Sequence, residues 1–263
     1  MNIAAIIPAR MASTRYPGKP LARILGMEMI GHVYFRSRMS KLLNGIYIAT
    51  CDSEVSDYAK SIGAPYIMTK DTHERASDRA AEAMLKIEAD TGKKLDIVVM
   101  IQGDEPMIAP EMIDEAVRPL VEDSSILVSN SMADIMTRQE QEDPNEVKVV
   151  VDNDGFALYF SREPIPSWKK GAKAVPMRKQ VCIIPFRRDF LLKFNGLKQT
   201  PLEIVESVDM LRVLENGYKV KMVPTKYVTY SVDTPEDLRT VEEAMKGDKL
   251  LAGYFRAAKA GRG

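Results

Sequence analysis

The order of apolar runs and helical stretches in this 263-residue chain predicts an α/β protein with a mostly parallel sheet wrapped by helices. Short apolar runs bounded by turn residues are typical of strands buried on both faces, and they recur at residues 3–7, 45–50, 65–68 and 95–101. Stretches with helical spacing alternate with them, at residues 29–39, 53–62, 77–89 and 110–120. Such alternation indicates parallel strands joined by helical crossovers.

The pattern changes in the second half of the chain. Two β-rich runs, at residues 147–152 and 157–161, flank Asn153, Asp154 and Gly155, which predicts a β-hairpin that leaves the parallel sheet. The remaining elements that we expect are a strand over 180–186, a helix over 202–216 ended by Gly217, a strand over 219–223 and a final helix after Pro235.

No linker rich in Pro, Gly or Ser divides the chain, so we expect one domain over residues 1–245 with an inserted lobe at about 143–185. Residues 246–263 contain mostly basic charges and end in glycine. This composition predicts a mobile basic C-terminal tail, with a binding arm as the alternative.

The composition excludes several classes of function. The charges of the 37 basic and 37 acidic side chains cancel, and the lack of net positive charge makes nucleic acid an unexpected partner. Two cysteines cannot form a disulfide framework, and no long apolar segment is present, so we expect a cytoplasmic protein without a membrane partner. Only two histidines occur, and we expect His32 to pack in the first helix and His73 to lie in a loop. Carboxylates, lysines and arginines must therefore carry the chemistry.

The first predicted strand runs into a loop rich in cations. Arg10, Arg15 and Lys19 could neutralise a polyphosphate, with the Ser13 hydroxyl filling the gap between them. Loops at the carboxyl edge of a parallel sheet are where α/β proteins bind ligands. This loop is neither a Walker loop, because Pro20 follows Lys19, nor a G-x-G-x-x-G loop. A solvated basic loop is the alternative.

Two acidic turns suggest a metal site. Asp104 follows the apolar run 95–101 in the sequence QGDEP. Asp233 precedes Thr234, which we expect to cap the last helix together with Asp237, so the cap does not need Asp233. Mg²⁺ prefers a few carboxylates plus phosphate oxygens, and Asp104 with Asp233 would be enough to hold it against a triphosphate.

Four motifs occur in a specific order: the loop 10–21, QGDEP at 102–106, the segment from DPNEVKVV at 143 to ALYFSR at 157, and VDTPEDL at 232–238. Together they resemble the 3-deoxy-manno-octulosonate (Kdo) cytidylyltransferases, the CMP-Kdo synthetases, over residues 2–245. The resemblance implies the Rossmann-like architecture of the nucleotide-diphospho-sugar transferases, with an inserted β-rich dimerisation lobe. It also implies CTP as donor, a Mg²⁺ requirement and a homodimer.

The resemblance also implies roles for individual residues. The triphosphate would be held by Arg10, Ser13, Arg15 and Lys19. Magnesium would be held by Asp104 and Asp233. The cytosine would lie near Gln102, Ser77 and Arg79. The catalytic groups would be Arg10, Lys19, Asp104 and Asp233, which position the reactants and absorb developing charge without a covalent intermediate.

The chain departs from the family pattern in three places. The family's H-x-S-G-T-D/E-R is HERASDR at 73–79, its H-L-G-I-Y-G-Y-R is QVCIIPFR at 180–187, and its E-Q-L-R is DMLR at 209–212. The last two face the acceptor. The family's histidine and first tyrosine are replaced by Gln180 and Ile184, so two polar contacts to a sugar are lost, and an amide is exchanged for the thioether of Met210. The expected acceptor contacts are Arg162, Gln180 and Asp209, with Arg187 and Arg212 as more distant partners for a carboxylate.

The resemblance therefore predicts a Mg²⁺-dependent transfer of CMP from CTP to Kdo or a close analogue, with release of pyrophosphate. Since the departures gather on the acceptor side, a cytidylyltransferase for another acid, such as a modified keto sugar or a phosphonate, is an alternative. A catalytically idle CTP sensor is a second alternative, although such a protein would not need both Asp104 and Asp233.

Overall fold

The computed structural model describes residues 1–12, 15–167, 169 and 176–260, with side chains as far as residue 255. The chain forms two compact units. The first comprises the described residues of Met1–Asp114 and Thr229–Gly263, and the second comprises those of Glu115–Val228. The segment inserted into the first unit is thus longer than the lobe expected at 143–185, which it contains.

The strands and helices are numbered in chain order. The strands are β1 (Ile3–Ala9), β2 (Arg23–Ile24), β3 (Met27–Glu28), β4 (Gly45–Thr50), β5 (Tyr66–Met68), β6 (Ile97–Ile101), β7 (Ser129–Asp134), β8 (Lys148–Val151), β9 (Ala157–Ser161), β10 (Arg178–Val181), β11 (Ile183–Arg187) and β12 (Lys221–Thr225). The helices are α1 (Met29–Ser37), α2 (Ser53–Ser61), α3 (Ala76–Thr91), α4 (Pro110–Glu122), α5 (Arg138–Glu142), α6 (Arg188–Gly196), α7 (Pro201–Glu206), α8 (Met210–Glu215), α9 (Pro235–Lys246) and α10 (Leu251–Ala260). No helix in the described part of the chain has both the length and the apolar character needed to cross a membrane.

The first unit contains a sheet of parallel strands in the order β6-β1-β4-β5. The central strand β1 pairs Ala5 with Ile46 on one side and with Val99 on the other. Its residues from Ile3 to Ile7 are almost fully buried, as are all residues of β6, because helices cover the sheet. The alternation of strands and helices predicted from the sequence is confirmed in this unit.

The second unit contains a mixed sheet in the order β12-β7-β10-β8-β9. Strands β12 and β7 are parallel, and the other neighbours are antiparallel. The predicted hairpin is confirmed as β8 and β9. Gly155 has a φ of 76° in its turn, a conformation that favours glycine. The chain is therefore an α/β protein with one parallel and one mixed sheet.

Two predicted elements of the second unit are wrong in detail. The helix expected over 202–216 is two helices, α7 and α8, because Ser207 adopts a left-handed φ of 52° that ends α7. An ion pair between Arg212 and Glu203, both buried, fastens α8 back onto α7. The strand expected over 180–186 is interrupted at Cys182, so that β10 and β11 are separate strands.

The C-terminal segment is also different from the expectation. Residues 246–263 were predicted to be a mobile basic tail, but residues 251–260 form α10, and residues 261–263 lie outside the described part. Tyr254 is only 4% exposed, and its hydroxyl lies 2.7 Å from Nδ1 of the buried His32. The charge composition of the segment does not indicate the burial of Tyr254, which attaches α10 to α1.

His32 makes the stability of the first unit sensitive to acid. Burial and the nearby Arg36 charge lower the pKa of His32 to about 4, from an ordinary value of 6.5. The unfolded chain therefore takes up a proton at a higher pH than the folded chain. We expect this group alone to remove about 3 kcal/mol of unfolding free energy as the pH falls from 6.5 to 4.

The measurement is urea unfolding at several pH values for the natural protein and for His32→Gln, which cannot titrate. The other titratable groups are shared, so the difference in slope between the two proteins isolates His32. Parallel stability curves between pH 7 and pH 4 would contradict the assignment of a neutral, buried His32.

Candidate active site

A cavity of about 290 Å³ opens in the first unit, at the carboxyl ends of the neighbouring strands β1 and β6. Five cationic side chains line it, against two carboxylates. The cations are Arg10, Arg15, Lys19, Arg75 and Arg79. An excess of positive charge at this edge of a parallel sheet suits a ligand with several negative charges.

The cationic loop after β1 is fixed at both of its ends. The backbone N–H of Met11 donates to a carboxylate oxygen of Asp52 at 2.7 Å. Gly18, with a φ of 75°, closes the loop by donating its N–H to the Met11 carbonyl at 3.0 Å. The chain then enters a short 3₁₀ helix at Lys19. The predicted residue Ser13 lies outside the described residues.

Lys19 lies between the two predicted metal ligands. Its Nζ donates to Oδ2 of Asp104 at 2.8 Å and to Oδ1 of Asp233 at 3.1 Å. Arg15 contacts the other oxygen of Asp233, at 3.0 Å. The two predicted metal ligands thus meet at one nitrogen atom, although Asp104 and Asp233 lie far from Lys19 in the sequence, 85 and 214 positions after it.

Close backbone contacts hold the two carboxylates in place. Asp104 follows Gly103, where a Cβ atom would lie only 3.0 Å from a side-chain atom of Ile30 and 3.2 Å from the Pro8 carbonyl oxygen. Glycine thus allows the chain after β6 to approach β1 closely. The N–H of Val232 donates to the Asp104 carbonyl at 2.9 Å, which joins the two acidic segments directly.

The predicted cap of α9 is confirmed. Thr234 accepts a hydrogen bond from the Asp237 N–H, and the Asp237 carboxylate accepts from the N–H groups of Thr234 and Asp233. The Asp237 carboxylate is therefore used to cap the first turn of α9. The carboxylate of Asp233 is left to face Lys19 and Arg15.

The electrostatics of the site favour a charged Lys19. Burial disfavours the ammonium, but Asp104 and Asp233 outweigh burial and raise the pKa of Lys19 above its usual value of 10.5. Lys19 is therefore a cation at neutral pH. Two carboxylates that converge on one cationic atom can also bind a divalent cation there, since Mg²⁺ needs few protein ligands when phosphate oxygens complete its shell.

The cavity is also lined by part of the segment predicted to lie near a base. Gln102 and Arg79 line the cavity, but Ser77 is fully buried in the first turn of α3 and does not. Arg79 donates to the Thr69 hydroxyl and to the Lys70 carbonyl, and its buried Nη2 has no hydrogen-bond partner in the described structure. This orphaned donor fits a ligand with an acceptor atom at the cavity wall.

His73 lies in a loop, as expected, and it also lines the cavity. Its Nε2 contacts the carboxylate of Glu82. Burial opposes ionisation of Glu82, but hydrogen bonds from Lys86, the Lys70 backbone and His73 lower the pKa of Glu82 to about 2. Glu82 is therefore an anion that fixes the His73 ring.

The predicted acceptor residues lie in the second unit, and the three arginines among them contact other groups of that unit. The Arg162 guanidinium donates to three backbone carbonyls, those of Glu206, Pro144 and Ser207, at 2.6, 2.7 and 3.2 Å. Arg187 likewise donates to three backbone carbonyls, and Arg212 is paired with Glu203. These arginines hold the fold of the second unit, so their geometry does not support a role as carboxylate ligands.

The other acceptor candidates are placed differently. Gln180 donates its amide N–H to Oδ1 of the buried Asn130 at 2.6 Å, and Asn130 donates to the Val181 carbonyl. Asp209 is half-buried at the start of α8. Ile184 and Met210 are buried, as expected for apolar side chains in place of polar ones.

The sequence reasoning missed two residues of this site and one residue of the second unit. Asp52 anchors the cationic loop, and Arg75 contributes a cation to the cavity. Asn130 orients Gln180 in the second unit. An acid directly after a strand at the ligand-binding edge could have indicated Asp52, because it follows β4 by two residues.

Comparison with known proteins defines the class first. The profile of the cytidylyltransferase family matches residues 4–222. A solved cytidylyltransferase from Leptospira borgpetersenii has the same fold, with a TM-score of 0.62 at 18% identity over 94% of this chain and 87% of that one. The fold and the match define a protein of the cytidylyltransferase class.

More similar relatives identify the family within this class. The 3-deoxy-manno-octulosonate cytidylyltransferases of Syntrophotalea carbinolica and Geobacter metallireducens are 43% and 44% identical to this chain, over 94% and 93% of it and 100% and 98% of their own lengths. A solved CMP:2-keto-3-deoxy-manno-octonic acid synthetase in complex with CTP is 35% identical, with a TM-score of 0.86 over 94% of this chain and 99% of that one. The chain belongs to the 3-deoxy-manno-octulosonate cytidylyltransferase family.

The position of Lys19 predicts how its removal affects cation binding. The ammonium competes with a divalent cation for Asp104 and Asp233. In Lys19→Met we therefore expect the nucleotide-free protein to bind Mn²⁺ about fivefold more tightly, since a partly buried ion pair contributes about 1 kcal/mol. Electron paramagnetic resonance of free Mn²⁺ measures the affinity.

The matched control is Lys60→Met, which removes a surface lysine that forms an ion pair with Asp57 and lies over the Tyr66 ring. It removes the same charge from the chain at a distance from the site. Weaker or unchanged Mn²⁺ binding by Lys19→Met, relative to Lys60→Met, would contradict the shared use of the two carboxylates.

Proposed function

We propose that this protein transfers CMP from CTP to 3-deoxy-manno-octulosonate and releases pyrophosphate. The observation that carries the proposal is the convergence of Lys19, Asp104 and Asp233 at the edge of a cationic cavity. The names of relatives more than 40% identical to this chain support the acceptor. The CTP complex of a solved relative supports the donor.

The cationic loop is the proposed triphosphate site. Arg10, Arg15 and Lys19 line the cavity and supply the charge, and Ser13 is proposed to add a hydroxyl. Gln102 and Arg79 are proposed to face the cytosine, with the free Nη2 of Arg79 as a donor to a base or ribose oxygen. Ser77 is buried, so we propose for it only a supporting role at the start of α3.

The residues present fit a magnesium ion. The family is one of nucleotidyl transfer, in which a metal is commonly required, and Asp104 and Asp233 already share a cationic partner. When bound, Mg²⁺ would neutralise phosphate charge and increase the acidity of an attacking hydroxyl. Asp104 and Asp233 would hold this cation, and Lys19 would then contact phosphate oxygens through its ammonium.

The proposed reaction is an in-line displacement. The anomeric hydroxyl of the acceptor attacks the α-phosphorus of CTP, its oxygen forms the new P–O bond, and the bond to the bridging oxygen of pyrophosphate breaks. The hydroxyl proton is lost to solvent. Lys19 and Arg10 stabilise the charge that develops on the phosphate oxygens, and the fixed loop holds the reactants in one geometry. No histidine base and no covalent intermediate are required.

The second unit is proposed to bind the acceptor and to form a homodimer. Gln180, oriented by Asn130, and Asp209 are the proposed contacts to acceptor hydroxyls. The exposed apolar side chains of this unit include Leu158, Ile204 and Val205, which are 61%, 60% and 80% exposed. Side chains of this kind support the role of the inserted segment as a dimerisation lobe within a Rossmann-like architecture.

The carboxylate pair should be essential for turnover. Asp104→Asn and Asp233→Asn each remove a charge that the reaction uses, so we expect kcat to fall by about 10² to 10³ with the fold intact. Pyrophosphate release from CTP, Mg²⁺ and Kdo measures the rate. The control is Glu236→Gln, which removes an exposed acid three positions after Asp233 and should keep normal turnover.

Two outcomes of this assay would count against the proposal. Normal rates in both folded Asn variants would remove the carboxylates from the mechanism. A natural protein that binds CTP but releases no pyrophosphate with any acid would favour the CTP sensor instead.

The acceptor itself is tested by comparing acids. We expect kcat/KM for Kdo to reach at least about 10⁴ M⁻¹s⁻¹, an ordinary value for an enzyme with its own substrate, and to exceed the values for modified keto sugars and phosphonates. A panel of acids at fixed CTP and Mg²⁺ gives the comparison. A higher kcat/KM with another acid would favour the alternative acceptor that the residues at 180–187 and 209–212 suggest.

A further inference from the structure

The buried guanidinium of Arg36 connects the two segments that carry the carboxylate pair. Arg36 lies on α1 and is 1% exposed. Its Nη1 donates to the carbonyls of Met107 and Ile108, at 3.3 and 3.2 Å, in the turn that follows Asp104. One end of the guanidinium thus holds the segment of the first carboxylate.

The other end holds the helix that begins beside the second carboxylate. Nη2 of Arg36 forms an ion pair with Asp248, two residues after the end of α9. Helix α9 begins at Pro235, two residues after Asp233. The ion pair therefore attaches the far end of α9 to α1, while Asp233 lies just before the first residue of α9.

A chain of hydrogen bonds fixes Arg36 from the third side. Nε of Arg36 donates to the Tyr254 hydroxyl at 3.4 Å, and that hydroxyl lies 2.7 Å from Nδ1 of His32. Nε2 of His32 lies 2.9 Å from the Ile24 carbonyl. Neutral His32 can donate from Nε2 to Ile24 and accept at Nδ1 from Tyr254, so each donor in this series of three hydrogen bonds has an acceptor.

The Ile24 end of this chain reaches the segment of the lysine. Ile24 follows the 3₁₀ helix of Lys19 by three residues, and the next residue, Leu25, donates its N–H to Glu242 of α9 at 2.9 Å. Apolar packing joins the same elements, because Ile24, Met29 and Val232 belong to one buried cluster. All three segments of the site are therefore attached to α1 and to the C-terminal helices.

We propose that Arg36 is a positioning residue for the metal-binding pair Asp104 and Asp233, held in place by Asp248 and Tyr254. It touches neither substrate nor metal, and it acts by fixing the distance between the two carboxylate segments. The proposal rests on the proposed function, since it assumes that the pair binds a divalent cation. It also gives a role to the C-terminal helix, whose Tyr254 completes the arrangement.

The test is Mn²⁺ affinity in the presence of CTP without acceptor, measured by electron paramagnetic resonance. Arg36→Lys keeps the charge but cannot reach all of its partners, so we expect the Mn²⁺ dissociation constant to rise about tenfold, as for residues that orient metal ligands. Tyr254→Phe removes one hydroxyl and should raise the dissociation constant by less than Arg36→Lys does, because Arg36 keeps its contacts to Met107, Ile108 and Asp248. CTP affinity in EDTA should stay unchanged in both variants.

The control is Arg212→Lys, which alters a similarly buried, ion-paired arginine in the second unit. It should lower the melting temperature without changing the Mn²⁺ dissociation constant. An equal loss of Mn²⁺ affinity in Arg212→Lys would mean that general destabilisation explains the effect, and it would overturn the proposal.

The remaining outcomes also decide the question. Folded Arg36→Lys with the natural Mn²⁺ affinity would overturn the positioning role alone. If Arg36→Lys does not fold, Tyr254→Phe decides, and natural Mn²⁺ affinity there overturns the proposal. A natural protein that binds CTP but no Mn²⁺ would overturn the proposed function together with the positioning role.

Discussion

The ammonium of Lys19 between the carboxylates of Asp104 and Asp233 is the interaction on which the site depends. Two carboxylates that contact the same ammonium also repel each other, and burial increases this repulsion. A cation between them offsets it. Three segments far apart in the sequence must therefore fold together before the cation and the carboxylates can meet. The parallel pairing of β1 with β6 brings two of these segments to one edge, and the Val232–Asp104 hydrogen bond adds the third.

The same arrangement suits the binding of a nucleotide with a metal. Lys19 supplies the positive charge that the carboxylates need. In the proposed reaction Asp104 and Asp233 would hold a divalent cation instead, and the Lys19 ammonium would then contact phosphate oxygens. The other cations of the cavity need negative charge, since they repel one another until a polyphosphate neutralises them. Binding of a nucleotide with a metal would neutralise the charges of both groups at once.

Much of the first unit could be predicted from the sequence, because buried parallel strands appear as continuous apolar runs and catalytic loops follow them. The cap at Thr234 and Asp237 was predictable because it is local. Strand β7 was not, since its sequence SNSMAD is polar and its buried polar groups have partners in other segments, such as Ala116 for Ser129 and Val181 for Asn130. The burial of Tyr254 and the engagement of Arg162 by backbone carbonyls likewise depend on long-range contacts that no spacing rule contains.

The most direct measurement of the central claim is a crystal structure with CTP and Mn²⁺, with the metal located by its anomalous scattering. The account predicts one Mn²⁺ bound to oxygens of both Asp104 and Asp233, with Lys19 moved onto a phosphate oxygen. The metal–oxygen distances should be about 2.1 Å, as in magnesium sites. A metal bound only to the triphosphate, with Lys19 still between the two carboxylates, would contradict the account.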